Sequence, residues 1–307
     1  MNPSSCWLVC EDLGGLRSQA RGLAEVAGIA AEERLFTPRF PWSVLAPRLW
    51  PAPARVAGLV PPYPELLIGG GGKAAAILAA LRGKARRVII QHPRMDPRRF
   101  DFIITAPHDR LSGPNVFVAR TALHGMTPRF AAARAAWMPR LAQLPRPLVS
   151  VLVGGSNGRF RLDAPVAEAI AAELRTMMRE DKVGLALTPS RRTAPDVRAV
   201  FERVLGPEGA YIWDMKGENP YVGMLASADA ILVTEDSVSM VSEAVATPVP
   251  VLTIGLPGKS RRIREFTRGL IDAGRVRPYR GRLEIWPVEP LDDTAAAAAA
   301  MRQRFGW

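Results

Sequence analysis

The sequence predicts an α/β protein of two doubly wound domains, each built on a parallel sheet. Three observations carry that expectation. Short apolar runs alternate with helix-period segments along the chain, which is the pattern of βαβ units. The alternation starts twice, each time as an apolar run, a glycine-rich turn and a helical stretch. The 307 residues also exceed the roughly 250–300 that one core organises.

In the first half, residues 6–10 (CWLVC) read as a buried strand that ends at Glu11-Asp12-Leu13-Gly14-Gly15. A helical pattern follows through Gln19, Leu23, Ala24, Val26 and Ala27. Residues 66–68 form the next strand and run into Gly69-Gly70-Gly71-Gly72, after which 74–81 is helical. Three more short strands are expected at 88–90, 102–105 and 116–118. A proline-punctuated stretch at 141–147 reads as the linker. The pattern then restarts with a strand at 148–153, a turn at 154–158 and a helix at 164–180. Strands at 184–188, 211–213, 230–234 and 249–254 alternate with helices at 197–204, 221–226 and 237–246. The alanine run 295–300, leading to Met301 and Phe305, is a closing helix. The expected domains are 1–143, completed by the C-terminal helix 291–307, and 144–290. No internal repeat stands out beyond the shared strand and glycine turn.

Composition narrows the class. Hydrophobic residues make up 48% and charged residues 23%, the balance of a globular protein with a sizeable core. No run approaches the ~18 apolar residues of a membrane span. The start lacks a basic region and meets Glu11 and Asp12 early, unlike a signal peptide, so a cytoplasmic protein is expected. Cys6 and Cys10, the only cysteines, read as reduced core thiols on one face of a strand. The net charge of +12 favours anionic partners. The arginines are spread and aromatics are only 7%, which gives no platform for dedicated nucleic-acid binding. An anionic membrane surface, met peripherally on its inner face through Arg86-Arg87 and Arg98-Arg99, suits that charge better.

Ligands of open α/β sheets bind beyond the carboxyl ends of the strands, and the polar clusters fall there. Gly154-Gly155-Ser156-Asn157-Gly158 either cradles a phosphate with its amides or only turns the chain. Ser190-Arg191-Arg192-Thr193 either clamps a diphosphate or lies on a basic surface. Asp236, Ser237 and Ser239 are good cap types for the helix that continues through Met240 and Glu243; its start either holds a phosphate or is merely capped. On the N-terminal side the glycine run 69–72 with Lys73 either binds a phosphate or simply turns the chain, and Gly14, Gly15, Gly71 and Arg94 are the candidates on that side. His92 and His108 are candidate bases because imidazole titrates near neutrality, with Asp12 and Asp109 as carboxylate alternatives. No nucleophile-elbow serine appears.

The chain resembles the family named mitochondrial-fission-protein-like, whose bacterial members are read as glycosyltransferases. The resemblance spans nearly the whole chain. It rests on Asp12 with Gly14, Gln19 and Gly22-Leu23-Ala24, then Pro93-Arg94, Phe100-Asp101, His108-Asp109 and Gly113-Pro114-Asn115-Val116. It continues through Gly154-Gly155-Ser156, Thr188 with Ser190-Arg191-Arg192-Thr193, and Asn219-Pro220-Tyr221. Its most specific stretch holds Ala228-Asp229, Val233-Thr234, Asp236-Ser237-Val238-Ser239-Met240 and Ser242-Glu243-Ala244. That family is similar in turn to the MurG-like GT-B enzymes.

The resemblance implies a GT-B fold, two Rossmann-like domains with a cleft between them. It implies a C-terminal donor domain for a nucleoside-diphosphate sugar, with Gly155-Ser156 on the diphosphate and Glu243 on the ribose. The N-terminal domain would take the acceptor, with Gly14, Gly15, Gly71, Arg94, His108 and Asp109 on that side. Pro248 stands where the pattern has glycine, and Lys73 where it has arginine. Neither a metal nor a resident cofactor is implied; the nucleotide sugar enters as co-substrate. Arg191, Arg192, Ser190, Asn157, Gly154, Ser237, Ser239 and Met240 would hold the donor. Asp12 first and His92 second would take the acceptor proton, and a lipid-linked acceptor would suit the basic charge. Two rivals share these features: an epimerase or hydrolase of nucleotide sugars, and a non-catalytic scaffold that kept the fold.

Overall fold

The computed structural model describes residues 2–12 and 14–307, so Met1, and Leu13 of the first expected turn, lie outside the described residues. The chain divides into two compact units. The first holds the described residues up to Gly125 together with Asp293–Trp307, and the second holds Met126–Asp292.

The first unit runs β1 (Cys6–Glu11), α1 (Gly14–Val26), β2 (Glu32–Phe36), a short α2 (Pro53–Val56), β3 (Leu66–Gly70), α3 (Gly71–Ala80), β4 (Arg86–Ile90), β5 (Phe102–Thr105) and β6 (Val116–Val118). Its sheet has the order β2-β1-β3-β4-β5-β6, and every pairing is parallel. Residues alternate between two cores, as a period of two requires. Leu8, Ile68, Val88 and Ile104 pack on one face with α1. Val9, Leu67, Ile89 and Ile103 pack on the other with α3. Cys6 and Cys10 lie together in the first of these cores, free and buried. Burial pushes their thiols up to about 12 and about 11, so both stay protonated and inert.

The second unit runs α4 (Phe130–Leu141), β7 (Leu148–Val153), α5 (Ala164–Glu180), β8 (Gly184–Pro189), α6 (Pro195–Leu205), β9 (Tyr211–Ile212), α7 (Tyr221–Ser227), β10 (Ala230–Thr234), α8 (Val238–Val245), β11 (Val251–Ile254), α9 (Arg261–Asp272) and β12 (Val276–Pro278). Its sheet has the order β12-β11-β10-β7-β8-β9, again parallel throughout. The chain lays β7, β8 and β9 outward in one direction, then returns to lay β10, β11 and β12 in the other. That is the doubly wound order whose reversal falls between β7 and β10. In the first unit the reversal falls between β1 and β3. The last helix, α10 (Thr294–Phe305), puts Ala297, Ala298 and Met301 into the core beside α1.

Several elements differ from expectation. The boundary lies ahead of α4 rather than at 143/144. The reason is packing: the Trp137 ring of α4 sits where a side chain on Gly223 of α7 would be, 2.1 Å from that position. β2 reads EERLF, mostly charged and exposed, because it is an edge strand; it lacks the apolar run that marks central strands. α9 and β12 were likewise not expected. Of the pair expected to meet a membrane, Arg86 is exposed and Arg87 is not. Arg87 is buried and its guanidinium lies 3.0 and 3.1 Å from the Asp101 carboxylate. Arg86 stacks near the Phe305 and Trp307 rings and donates to the Phe305 carbonyl. Arg98 and Arg99 are exposed. Among the described residues no helix is long and apolar enough to cross a membrane.

Candidate functional site

Because every strand is parallel, the carboxyl ends of each sheet share one edge. In the second unit the adjacent ends are those of β10, β7 and β8, so turns distant in sequence meet. The Gly154–Asn157 turn leaves β7, the Ser190–Thr193 turn leaves β8, and Glu235-Asp236-Ser237 leaves β10 into α8.

Asp236 ties them together. Its side chain is 0% exposed. One carboxylate oxygen accepts from the Thr234 hydroxyl at 2.7 Å. The other accepts from the Gly155 amide at 3.3 Å and from Arg192 at 2.7 Å. Thr234 in turn accepts from the Gly154 amide at 2.8 Å, and Arg192 also donates to the Gly155 carbonyl at 3.2 Å. The Ser190 hydroxyl donates to the Gly154 carbonyl at 3.0 Å, and Thr193 donates to the same oxygen.

The glycines are required by close approach. A Cβ on Gly154 would stand 2.2 Å from an Asp236 oxygen, and one on Gly155 2.2 Å from the Arg192 carbonyl oxygen. This changes the role expected of the turn. The amides of Gly154 and Gly155 do meet an anionic system, but the anion is the chain's own Asp236. We expect Gly155→Ala to lower stability by about 1–3 kcal/mol, since backbone rather than a flexible tip must move; an unchanged thermal melt would refute the close approach.

Ser156 and Asn157 support the same loop. The Ser156 hydroxyl exchanges hydrogen bonds with the Leu162 amide and carbonyl at 2.8 and 2.9 Å. The Asn157 side chain accepts from the Arg159 and Phe160 amides. What remains at this edge faces outward. Arg191 is exposed, and no ion pair of it is found among the described residues. Ser237 caps α8 by accepting from the Met240 amide at 3.4 Å. The amides of Val238 and Ser239 precede the first intrahelical bond and carry the positive end of the helix dipole. Ser239 and Met240 are half-buried there.

Glu243 lies deeper in α8, buried, and accepts from the Tyr221 hydroxyl at the start of α7. Burial pushes its carboxyl up to about 7 against a smaller opposing effect of that hydrogen bond. Burial, then the neighbouring Glu243 charge, holds Tyr221 well above its ordinary value. Behind them the buried Arg275 donates to the carbonyls of Val245, Thr247 and Val249, closing the end of α8.

In the first unit the other candidates also share one edge, in the order β1, β3, β4, β5. Asp12, Gly14 and Gly15 follow β1, and Asp12 is exposed with Arg17 3.6 Å away. Glu11 pairs with Lys73 at 2.8 Å across the β1–β3 reversal, a contact the sequence reading missed. Gly71 opens α3 with φ +81°. The Arg94 side chain passes 3.8 Å from where a Gly72 Cβ would be. His92 accepts the Arg94 amide on Nδ1 at 2.9 Å. In that contact the Nδ1 lone pair is already engaged by backbone. Asp109 accepts from the Thr105 hydroxyl at 2.7 Å and lies 3.7 Å from His108 Nε2. Among the described residues no group of three His, Cys, Asp or Glu could hold a metal ion.

The fold recurs in solved structures. The UDP-GlcNAc 2-epimerase from Methanocaldococcus jannaschii is similar with a TM-score of 0.61 at 10% identity, covering 99% of this chain and 100% of that one. UGT71G1 from Medicago truncatula, complexed with UDP-glucose, gives 0.54 at 13% identity, over 97% and 89%. MurG from Acinetobacter baumannii gives 0.50 at 15% identity, over 90% and 86%. At such identities the likeness establishes the fold, which is of the GT-B type. By sequence, the mitochondrial fission protein ELM1 of Arabidopsis thaliana is 32% identical over a 279-residue alignment covering 80% of this chain. That alignment covers 65% of the Arabidopsis protein, so the chain spans less than two thirds of that relative's length. An uncharacterized protein of Rickettsia prowazekii, RP120, is 23% identical, with 78% of this chain and 79% of that one covered. The family model described as mitochondrial fission ELM1 matches residues 14–305, and the chain belongs to that family.

Proposed function

We propose that the second unit binds a nucleoside-diphosphate sugar and that the protein transfers its sugar to an acceptor hydroxyl. One observation carries the reading: three turns from adjacent strand ends are latched by Asp236 at the point where the strand order reverses. In doubly wound sheets that point is where nucleotides bind. With Asp236 filling the glycine turn, the diphosphate lies outside it. It is held by Arg191, the Ser156 amide and the first turn of α8 at Ser237 and Ser239. Arg192 and Asp236 position these groups rather than touch the ligand. Glu243 orients the ribose. The plant protein complexed with UDP-glucose and the UDP-GlcNAc 2-epimerase share the fold, which supports a uridine nucleotide as the first to try.

In the reaction the bond between the sugar's anomeric carbon and the diphosphate oxygen breaks. The acceptor oxygen forms the new bond, and its proton passes to a base, for which Asp12 is the choice. The diphosphate leaves with its electron pair, so its growing charge must be met by preorganised donors; the α8 amides and Arg191 supply them. No metal or resident cofactor is invoked. The acceptor proposed is lipid-linked and presented at an anionic membrane surface.

Calorimetric titration with UDP, GDP, ADP and CMP and their sugar conjugates tests the donor site. We expect one nucleotide to bind selectively, and Arg191→Ala to weaken it about tenfold or more, the worth of a charge-assisted phosphate contact. Unchanged affinity in Arg191→Ala would overturn the assignment. Sugar released without acceptor, or an exchanged epimer, would replace transfer by hydrolysis or epimerisation.

A further inference from the structure

The connection from β2 to β3 in the first unit is unlike the other loops. Residues 37–64 contain Arg39, Arg48 and Arg55 and no Asp or Glu. Proline recurs at 38, 41, 47, 51, 53, 61, 62 and 64, so the segment is stiff without being a long helix or a strand. Its apolar residues divide into two sets. Trp42, Leu45, Trp50, Ala54 and Leu59 pack into the core beside Phe36. Phe40, Val44, Leu49 and Val60 point outward and are 82%, 73%, 60% and 64% exposed. These are the four most exposed large hydrophobic residues among those described.

The outward set is held out by structure. Residues 39–45 form a turn in which the Ser43 amide donates to the Arg39 carbonyl at 3.0 Å and the Val44 amide to Pro41 at 3.2 Å. The Trp50 indole N–H donates to the Leu45 carbonyl at 3.3 Å, fastening the turn to the core. Arg39 and Arg55 are exposed in the same segment. The loop carries large apolar side chains and cations and no carboxylate of its own, and the nearby Glu32 of β2 beside Val60 is paired with Arg34 at 3.0 Å; that surface matches the interface of an anionic bilayer. There the apolar tips enter the acyl boundary while the guanidinium groups meet phosphate.

We propose that this connection docks the protein on an anionic lipid bilayer, with Phe40 and Val44 inserting and Arg39 and Arg55 on headgroup phosphates. The inference rests on the membrane part of the function proposed above and is independent of the donor site. It also stands in for Arg87, which is buried against Asp101.

The test is co-sedimentation of the full chain with phosphatidylcholine vesicles, with and without about one third phosphatidylglycerol. We expect binding to the anionic vesicles that weakens with added salt and is much weaker on neutral ones. The double variant Phe40→Ser/Val44→Ser should bind about tenfold less, and Arg39→Gln/Arg55→Gln should lose the salt dependence. All four side chains are exposed, so melting temperatures should not change. Ile285→Ser, an exposed apolar residue of the second unit (59%), is the control that keeps full binding. Absence of wild-type binding, equal binding to neutral vesicles, or wild-type binding by Phe40→Ser/Val44→Ser would overturn the proposal. So would self-association of the wild type that this variant abolishes without vesicle binding, because the patch would then belong to a second copy. A chain that binds nucleotide but no vesicle loses only this surface; one that binds vesicles but no nucleotide loses only the donor site.

Discussion

Asp236→Ala is expected to destabilise the second unit by about 2–4 kcal/mol and to abolish measurable nucleotide binding. The carboxylate has no access to solvent and accepts from three protein donors. Truncation leaves the Gly155 amide and the Thr234 hydroxyl without their acceptor in a buried place, at roughly 1–3 kcal/mol for each unsatisfied group before relaxation. Arg192 moderates the loss, because its side chain is 41% exposed and can turn to water. The full cost of a broken buried pair therefore does not apply. The void is small, since Gly154 and Gly155 already bring backbone close. Asp236→Asn keeps the volume but offers an N–H where only donors point, so it should lie between wild type and alanine. Thermal unfolding measures the stability and calorimetry the binding. A melt within about 1 kcal/mol of wild type would mean that the three turns hold their places without Asp236, and the site would need another organiser.

The sequence carried the architecture because strands buried on both faces read as short apolar runs, and LVSVLV and AILVT leave little choice. It also placed most candidates along one edge of each sheet, since polar clusters at the carboxyl ends of parallel strands must gather there. Strand order was not legible, and strand order decides partners. Nothing in Gly155 and Asp236 says that β7 lies beside β10. Without that neighbour relation, the glycine turn stays open between an anion cradle and a plain turn. The pairings of Tyr221 with Glu243, and of Glu11 with Lys73, were hidden for the same reason. β2 escaped notice because an edge strand need not be apolar. α4 was missed because it carries Pro139 and a weakly patterned alanine face. Its Trp137 finds Gly223 only once both helices are in place.

Glu243→Gln should make the protein more stable at pH 8 while weakening nucleotide binding. In the unfolded chain the carboxyl titrates near 4.5, whereas burial in the folded protein pushes it up to about 7. Between those values the folded state keeps a proton that the unfolded chain has released. The stabilising contribution is therefore complete below about pH 4.5, declines as pH rises, and is gone above pH 7. The decline amounts to roughly 3 kcal/mol. Glutamine has the same shape, still accepts from Tyr221, and does not ionise, so its variant lacks that slope. The two proteins should melt close together at pH 5 and separate by several degrees at pH 8, with glutamine the higher. Ribose hydroxyls donate to a carboxylate, and glutamine replaces one acceptor by a donor, so nucleotide affinity should fall about tenfold. Opposite movement of stability and affinity is the mark of a charge kept buried for a ligand. If the melting difference does not change with pH, Glu243 is ionised at no cost in the folded protein. If stability and affinity rise together, the ribose is held by some other residue.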